Sequence, residues 1–217
     1  MFFEIFRIFG LITGWPLQWL FFKRKVYYED ESCKRSLKKG GKLVITNHYS
    51  VVDYVTSCFL VCPRKLWAVT SEIPYKSRLL RFGMKFFGTI QANRITRNMK
   101  FIDESAEILK KGKLVQIFPE GRNTPDGKIH DFKRSYIVIA HRAGVPIVPV
   151  ITDGNYGLFK RNRMMIGKAI DLSTWITSTD RMPPREQIEQ ANEYIFQTVL
   201  RLREELAQKS KKKEKKR

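Results

Sequence analysis

The chain has 217 residues, with 41 Lys and Arg set against 21 Asp and Glu, a net charge of +20 and an isoelectric point near 10.0. That length holds one sizeable core and is short for two complete domains. The charge points to an anionic partner, whether nucleic acid, an acidic protein or a phospholipid surface. The three cysteines, Cys33, Cys58 and Cys62, are odd in number and fit no metal-ligand spacing. They predict a reduced, cytosol-facing protein with no disulfide framework and no metal site.

Residues 1–22 are dominated by Phe, Ile, Leu and Trp and are followed by Lys23-Arg24-Lys25. The segment lacks the basic opening and small-residue cleavage site of a secretory signal. As one helix it would run about 33 Å, enough to cross a bilayer. Glu4, Arg7 and Gln18 interrupt the apolar run, however, and Gly14-Trp15-Pro16 is a natural helix break. The expectation is a membrane-associated helical hairpin over residues 1–25, dipping into one leaflet. Trp15 and Trp19 would sit at interfacial depth and Lys23 to Lys25 at the headgroups.

Residues 26–41 are polar and read as a connector ending in Gly40-Gly41. Leu43-Val44-Ile45-Thr46 is then a short buried strand. It leads into Asn47-His48-Tyr49-Ser50-Val51-Val52-Asp53, which reads as a turn and a helix start, with Ser50 as N-cap and Asp53 at the third helical position. On a regular helix, positions five apart point about 140° away from each other. With His48 on the incoming turn, its ring can fold back over the first helical turn to the Asp53 carboxylate. A histidine held that way has a fixed tautomer and a free nitrogen able to take a proton from a hydroxyl. The same residues also fit a capping carboxylate beside an ordinary polar loop histidine.

The helix continues to Leu60 and stops at Pro63, and Leu66 to Thr70 is the next strand. Tyr75 to Phe87 reads as a basic amphipathic helix, solvated or in contact with membrane. Thr89 to Ala92 is a short strand with Asn93-Arg94 at its end. A helix runs from Asn98 to Lys111-Gly112. Leu114 to Ile117 is a strand stopped by Pro119 in Phe118-Pro119-Glu120-Gly121-Arg122-Asn123-Thr124. Gly121 there permits close backbone approach, so the loop can offer N–H groups to an anion. Phe132 to His141 is a helix ended by Gly144, whose Lys133 and Arg134 add positive charge near that loop. His130 and His141 read as structural or exposed. Pro146 to Thr152 and Arg163 to Lys168 are strands, and Pro184 to Ala207 is an amphipathic helix with Ile188, Ala191, Ile195, Val199, Leu202 and Leu206 on one face. Residues 209–217 read as a disordered basic tail drawn to anionic lipid. Strands alternating with helices predict an α/β fold with a mixed sheet flanked by helices, ligands lying at strand carboxyl ends.

Four stretches together resemble the glycerolipid acyltransferase family, best known for the 1-acylglycerol-3-phosphate acyltransferases. Asn47 to Asp53 matches the family's N-H-x4-D, and Phe118 to Gly121 its F-P-E-G. Gly88 to Arg94 and Val145 to Val150 match two weaker blocks in the expected order. The resemblance covers about residues 40–170 and makes 26–208 an acyltransferase domain. It implies transfer of a fatty acyl group from acyl-ACP or acyl-CoA to the hydroxyl of lysophosphatidic acid, giving phosphatidic acid in phospholipid biosynthesis. It implies His48 and Asp53 as the catalytic pair, Arg94 on the acceptor phosphate with Arg97 as a rival, and Glu120, Gly121, Arg122 and Thr124 as substrate-binding residues. No cofactor is implied beyond the thioester co-substrate. The family's third block usually reads F-P-E-G-x-R-[ST]; here Arg122 comes one place early and Asn123 fills the usual arginine position. That departure leaves open another acceptor, such as glycerol-3-phosphate or a different lyso-lipid. A non-catalytic protein binding anionic lipid is the alternative from another class.

Overall fold

The computed structural model describes residues 2–21, 23–71, 87–92, 99–124, 127–158 and 160–214. Arg94, Arg97 and all but the last residue of the helix expected from Tyr75 to Phe87 lie outside the described residues. Seven strands form one sheet: β1 (Arg24–Tyr28), β2 (Lys42–Thr46), β3 (Leu66–Ser71), β4 (Thr89–Ala92), β5 (Leu114–Ile117), β6 (Ile147–Thr152) and β7 (Asn162–Ile166). The helices are α1 (Phe2–Phe21), α2 (Val52–Val61), α3 (Lys100–Lys110), α4 (Ser135–Ala143) and α5 (Arg185–Glu214).

The strand order is β1-β7-β6-β2-β5-β3-β4, parallel throughout except where β6 meets β7. This is the mixed sheet expected. Alternation along the central strands divides the core between the two faces. Leu43, Ile45, Val115, Ile117, Ile147 and Ile151 point to the side covered by α3, α4 and α5. Val44, Leu114, Val148 and Val150 point to the side that holds Val61 of α2 and the short 3-10 turn at Glu31–Arg35. The six apolar residues expected on one face of α5 are all buried. At about 1.5–3 kcal/mol for each fully buried large aliphatic side chain, this two-sided burial is what holds the central strands in register.

Three expectations are corrected. β1, an edge strand parallel to β7, begins at Arg24 and takes the first three residues of the segment read as a connector. Residues 2–21 are one helix rather than a hairpin, with Pro16 inside it. A proline there removes only the bond to the Ile12 carbonyl, and packing carries the helix through: the Gly14 backbone lies close to Phe59, and Trp15 meets the Phe59 ring edge-on at 5.7 Å. The tail from Lys209 is helical to Glu214, continuing α5, with the Lys209 ammonium donating to the Tyr28 carbonyl.

The polar residues that interrupt α1 tie it to the domain. Glu4 pairs with Lys65 at 2.9 Å and Arg7 donates to the Pro63 carbonyl, while buried Gln18 accepts from Arg24. Ile5, Ile8, Phe9, Ile12, Trp15 and Trp19 remain exposed on the helix. No described helix is long and apolar enough to cross a membrane.

Candidate active site

Both strong sequence motifs leave the carboxyl ends of strands that lie side by side. β2 ends at Thr46 and β5 at Ile117, with β6 flanking β2 on its other edge. Asn47 fastens β2 to β6 with two hydrogen bonds: its amide nitrogen donates to the Thr152 carbonyl at 2.9 Å, and its oxygen accepts from the Thr152 N–H at 2.9 Å. His48 is therefore held at a fixed position at the mouth of the sheet.

The His48 Nδ1 lies 3.0 Å from the Asp53 Oδ2, and the ring stacks on Phe118 with centroids 3.9 Å apart. Asp53 is fully buried. Its Oδ2 also accepts from the Tyr49 and Ser50 N–H groups, both at 2.7 Å. Helix α2 begins at Val52, so Asp53 reaches back to the amides of the turn instead of standing at the third helical position. The N-cap position is taken by Val51, not by Ser50 as expected; Ser50 stands one residue earlier, its hydroxyl accepting from the Val52 N–H at 3.3 Å. A second hydroxyl, that of Tyr156 in the loop after β6, donates to the Asp53 Oδ1. Every one of these partners is a donor when the imidazole carries its proton on Nδ1, and only the ionised carboxylate can accept from all of them. The opposite ring nitrogen, Nε2, is then left as the proton acceptor.

Beneath the pair, buried Gln116 donates to Thr46 and Ser57, and Ser57 donates to the Asp53 carbonyl. This places a polar strut between β5 and the first turn of α2. It fixes the helix start from below as Asp53 fixes it from above.

The second motif braces the first. Glu120 is buried, and its carboxylate accepts from the His48 N–H at 3.1 Å, the Thr124 hydroxyl at 2.9 Å and the His130 N–H at 3.2 Å. Thr124 donates its N–H to the His48 carbonyl at 2.8 Å. Glu120 and Thr124, expected on the substrate, thus have polar groups engaged in holding the histidine backbone. Gly121 adopts a positive φ of 68°. Its N–H closes a turn onto the Phe118 carbonyl rather than pointing to an anion. What approaches Gly121 closely is Lys133, whose Cε and Nζ would lie 2.8 Å from an added Cβ. Arg122 is exposed, with Nη2 3.3 Å from the His130 Nδ1.

These side chains line a cavity of about 460 Å³ formed by Glu120, Gly121, Arg122, Ile129, His130, Asp131 and Lys133. Arg122 and Lys133 bring two cations to it, set against the acidic Glu120 and Asp131. Of the two basic residues expected near this loop, Lys133 lines the cavity, while Arg134 pairs with Glu189 at 3.2 Å. A second, apolar cavity of about 250 Å³ lies between α1 and α2, lined by Leu11, Gly14, Tyr54, Val55, Cys58 and Phe59 among others.

Sequence reasoning brought together His48, Asp53, Glu120, Gly121, Arg122 and Thr124, and the structure places all six around one strand-end turn. It missed three participants. His130 carries no motif, Asn47 was read only as part of a pattern, and Tyr156 lies 103 residues from its carboxylate partner. The sole signal for Tyr156 was an aromatic residue between Gly154 and Gly157 just past a core strand.

The sequence matches the Acyltransferase family model over residues 24–153, more than half of the chain. A 1-acyl-sn-glycerol-3-phosphate acyltransferase of Chlamydomonas reinhardtii is 26% identical over 160 residues, covering 71% of this chain and 46% of that protein. One of the same description from Bacillus subtilis is 22% identical over 174 residues, covering 78% and 84%. The chain spans about a third to just over half the length of the plant, algal and nematode relatives it matches. The crystal structure of the 1-acyl-sn-glycerophosphate acyltransferase PlsC from Thermotoga maritima aligns with a TM-score of 0.59 at 22% identity, over 92% of this chain and 79% of that one. That likeness establishes the shared fold. The match of the family model to most of the sheet, with His48 and Asp53 of its motif in contact, places this chain in the acyltransferase family.

Proposed function

We propose that this protein transfers a fatty acyl group from a thioester to the free hydroxyl of lysophosphatidic acid, forming phosphatidic acid at a membrane surface. The observation that carries the reading is the His48 imidazole, 3.0 Å from a fully buried Asp53 carboxylate, next to a polar cavity whose lining includes Arg122 and Lys133. The Nε2 of His48 takes the hydroxyl proton as the acceptor oxygen attacks the thioester carbonyl, and Asp53 stabilises the imidazolium that forms. The tetrahedral adduct collapses, the C–S bond breaks, and His48 returns the proton to the departing sulfur. An ester and a free thiol result, and no covalent enzyme intermediate is needed.

Arg122 and Lys133 fit the acceptor phosphate, since each adds a charge-assisted donor. Arg94 remains a candidate for the same work. The apolar cavity between α1 and α2 suits an acyl chain. The exposed apolar side chains of α1 suit insertion into one leaflet, a monotopic attachment at the cytoplasmic face. The net charge of +20 favours either donor, the acidic acyl carrier protein or the phosphates of CoA.

The early position of Arg122 favours a second reading in which the acceptor is glycerol-3-phosphate or another lyso-lipid. The test offers purified protein these acceptors with acyl-CoA and with acyl-ACP and quantifies the ester formed. Phosphatidic acid formation with at least one donor is expected. Absence of transfer to every phosphate-bearing acceptor with both donors would rule the reading out.

A further inference from the structure

We infer that Tyr156 is a positioning residue for the His48–Asp53 pair, acting on the imidazole through the far oxygen of the carboxylate. This rests on the proposed reaction for its kinetic consequence, but its effect on the imidazole is separable from turnover. The Asp53 Oδ2 is occupied by the His48 Nδ1, the Tyr49 N–H and the Ser50 N–H, whereas Oδ1 receives the Tyr156 hydroxyl. The Asp53 Oδ1 is a carboxylate oxygen with no proton to give, so the phenol is the donor in that contact. The Thr152 Oγ1, 3.3 Å from the phenol, is a second and more distant acceptor, because its own proton goes to the Asn162 Oδ1 at 2.7 Å. Burial first, and the charge of Asp53 second, push the Tyr156 phenol well above the ordinary tyrosine range. It stays a neutral donor wherever the enzyme operates.

The loop is shaped to hold the ring there. Tyr156 donates its N–H to the Gly154 carbonyl at 3.1 Å. Gly154 sits at φ +67°, and a Cβ on it would come within 2.5 Å of the Tyr49 ring. No L side chain is accommodated at that point without moving the residue next to His48.

A donor on Oδ1 draws electron density away from the carboxylate and tempers its pull on the imidazolium. The other charged or titratable groups facing this cluster are Glu120 on the His48 N–H, Asp153 at the end of β6, and Arg203 of α5, which lies over the Tyr49 ring at 5.8 Å. None of the three bonds to the Asp53 carboxylate in the described structure. The Tyr49 and Ser50 N–H groups are fixed by the turn, and Tyr156 adds a side-chain donor that tunes how strongly Asp53 pulls on the His48 proton.

The test compares the parent with Tyr156→Phe, which keeps the ring and deletes the donor, and with a fluorinated tyrosine incorporated at 156, a stronger donor of nearly the same shape. Two readouts are taken on the full chain in detergent: the pH profile of kcat/KM for acyl transfer, and the NMR titration of the His48 imidazole, assigned among the three histidines with His48→Ala. In Tyr156→Phe the acid limb of the profile and the imidazole midpoint move up together by about half to one pH unit. The KM for the acceptor stays within about twofold, as expected for a group that does not touch substrate. The fluorinated variant moves both readouts the opposite way. A purely structural tyrosine would lower the melting temperature and leave both midpoints in place, and that result overturns the inference. If Tyr156→Phe fails to fold, the fluorinated variant alone decides by the same sign. If the parent transfers no acyl group while the imidazole midpoint still shifts, the proposed reaction fails and the role of Tyr156 stands.

Discussion

The strand-end site and helix α1 are attached to the same sheet by opposite means. Around His48 the carboxylates of Asp53 and Glu120 are buried and saturated by named donors. Helix α1 is tied down at a few points, Glu4 to Lys65, Arg7 to Pro63 and Gln18 to Arg24, and leaves Phe9, Ile12 and Trp19 more than half exposed. The first region is built by geometry, so single-atom changes should matter. The second works by apolar area, so its contribution should be graded and spread over several residues.

The sharpest break in that contrast is Asp53→Ala. It strands the turn amides and the Tyr156 hydroxyl without their acceptor, and should cost about 3 kcal/mol of stability by denaturant titration. It should also lower transfer at least ~100-fold. Parent-like stability and rate would show that the carboxylate is only an incidental cap. For α1, Ile12→Glu together with Trp19→Glu should weaken sedimentation with anionic vesicles by roughly tenfold or more, through lost apolar insertion. Folding stability should stay within about 0.5 kcal/mol, because both side chains face solvent. A large drop in stability with vesicle binding intact would reassign α1 to covering the core.

Arg122→Ala and Lys133→Ala test the two cations of the polar cavity at smaller amplitude. Each should raise the acceptor KM by about tenfold with kcat little changed, since a phosphate contact is made equally in ground and transition states. A fall in kcat at constant KM would place these residues at the reacting carbonyl instead. The smallest effect concerns the apolar cavity. Burial pushes the Cys58 thiol up to about 11, so little thiolate exists at neutral pH. Alkylation should mark exposed Cys62 first and reach Cys58 faster as pH rises toward that value, and a bound long-chain acyl thioester should shield Cys58. Labelling of Cys58 unaffected by acyl donor would place the chain elsewhere.

The difference between the two regions also explains what could be read in advance. The Leu43 to Asp53 stretch was legible because β-branched residues and a five-residue His–Asp spacing are local signals, although the cap fell on Val51 and not on Ser50. The α5 face was legible because its apolar residues repeat at helical spacing. Edge strand β1 was not, because Arg24-Lys25-Val26-Tyr27-Tyr28 becomes a strand through its pairing with β7, some 138 residues away. Helix α1 runs through Pro16 because contacts with Phe59 outweigh a local break. Thr124 and Glu120 were placed in the right loop but assigned to substrate, since motif position does not reveal which acceptors a buried carboxylate will meet. Tyr156 required the return of β6 beside β2 before it could be seen at all.

The most direct measurement is the rate of acyl transfer to lysophosphatidic acid by His48→Ala, with vesicle binding followed in the same samples. Loss of the imidazole should reduce transfer by about 10²–10⁴-fold while membrane binding and melting behaviour remain those of the parent. Transfer within a few-fold of the parent would contradict a histidine base at this strand end.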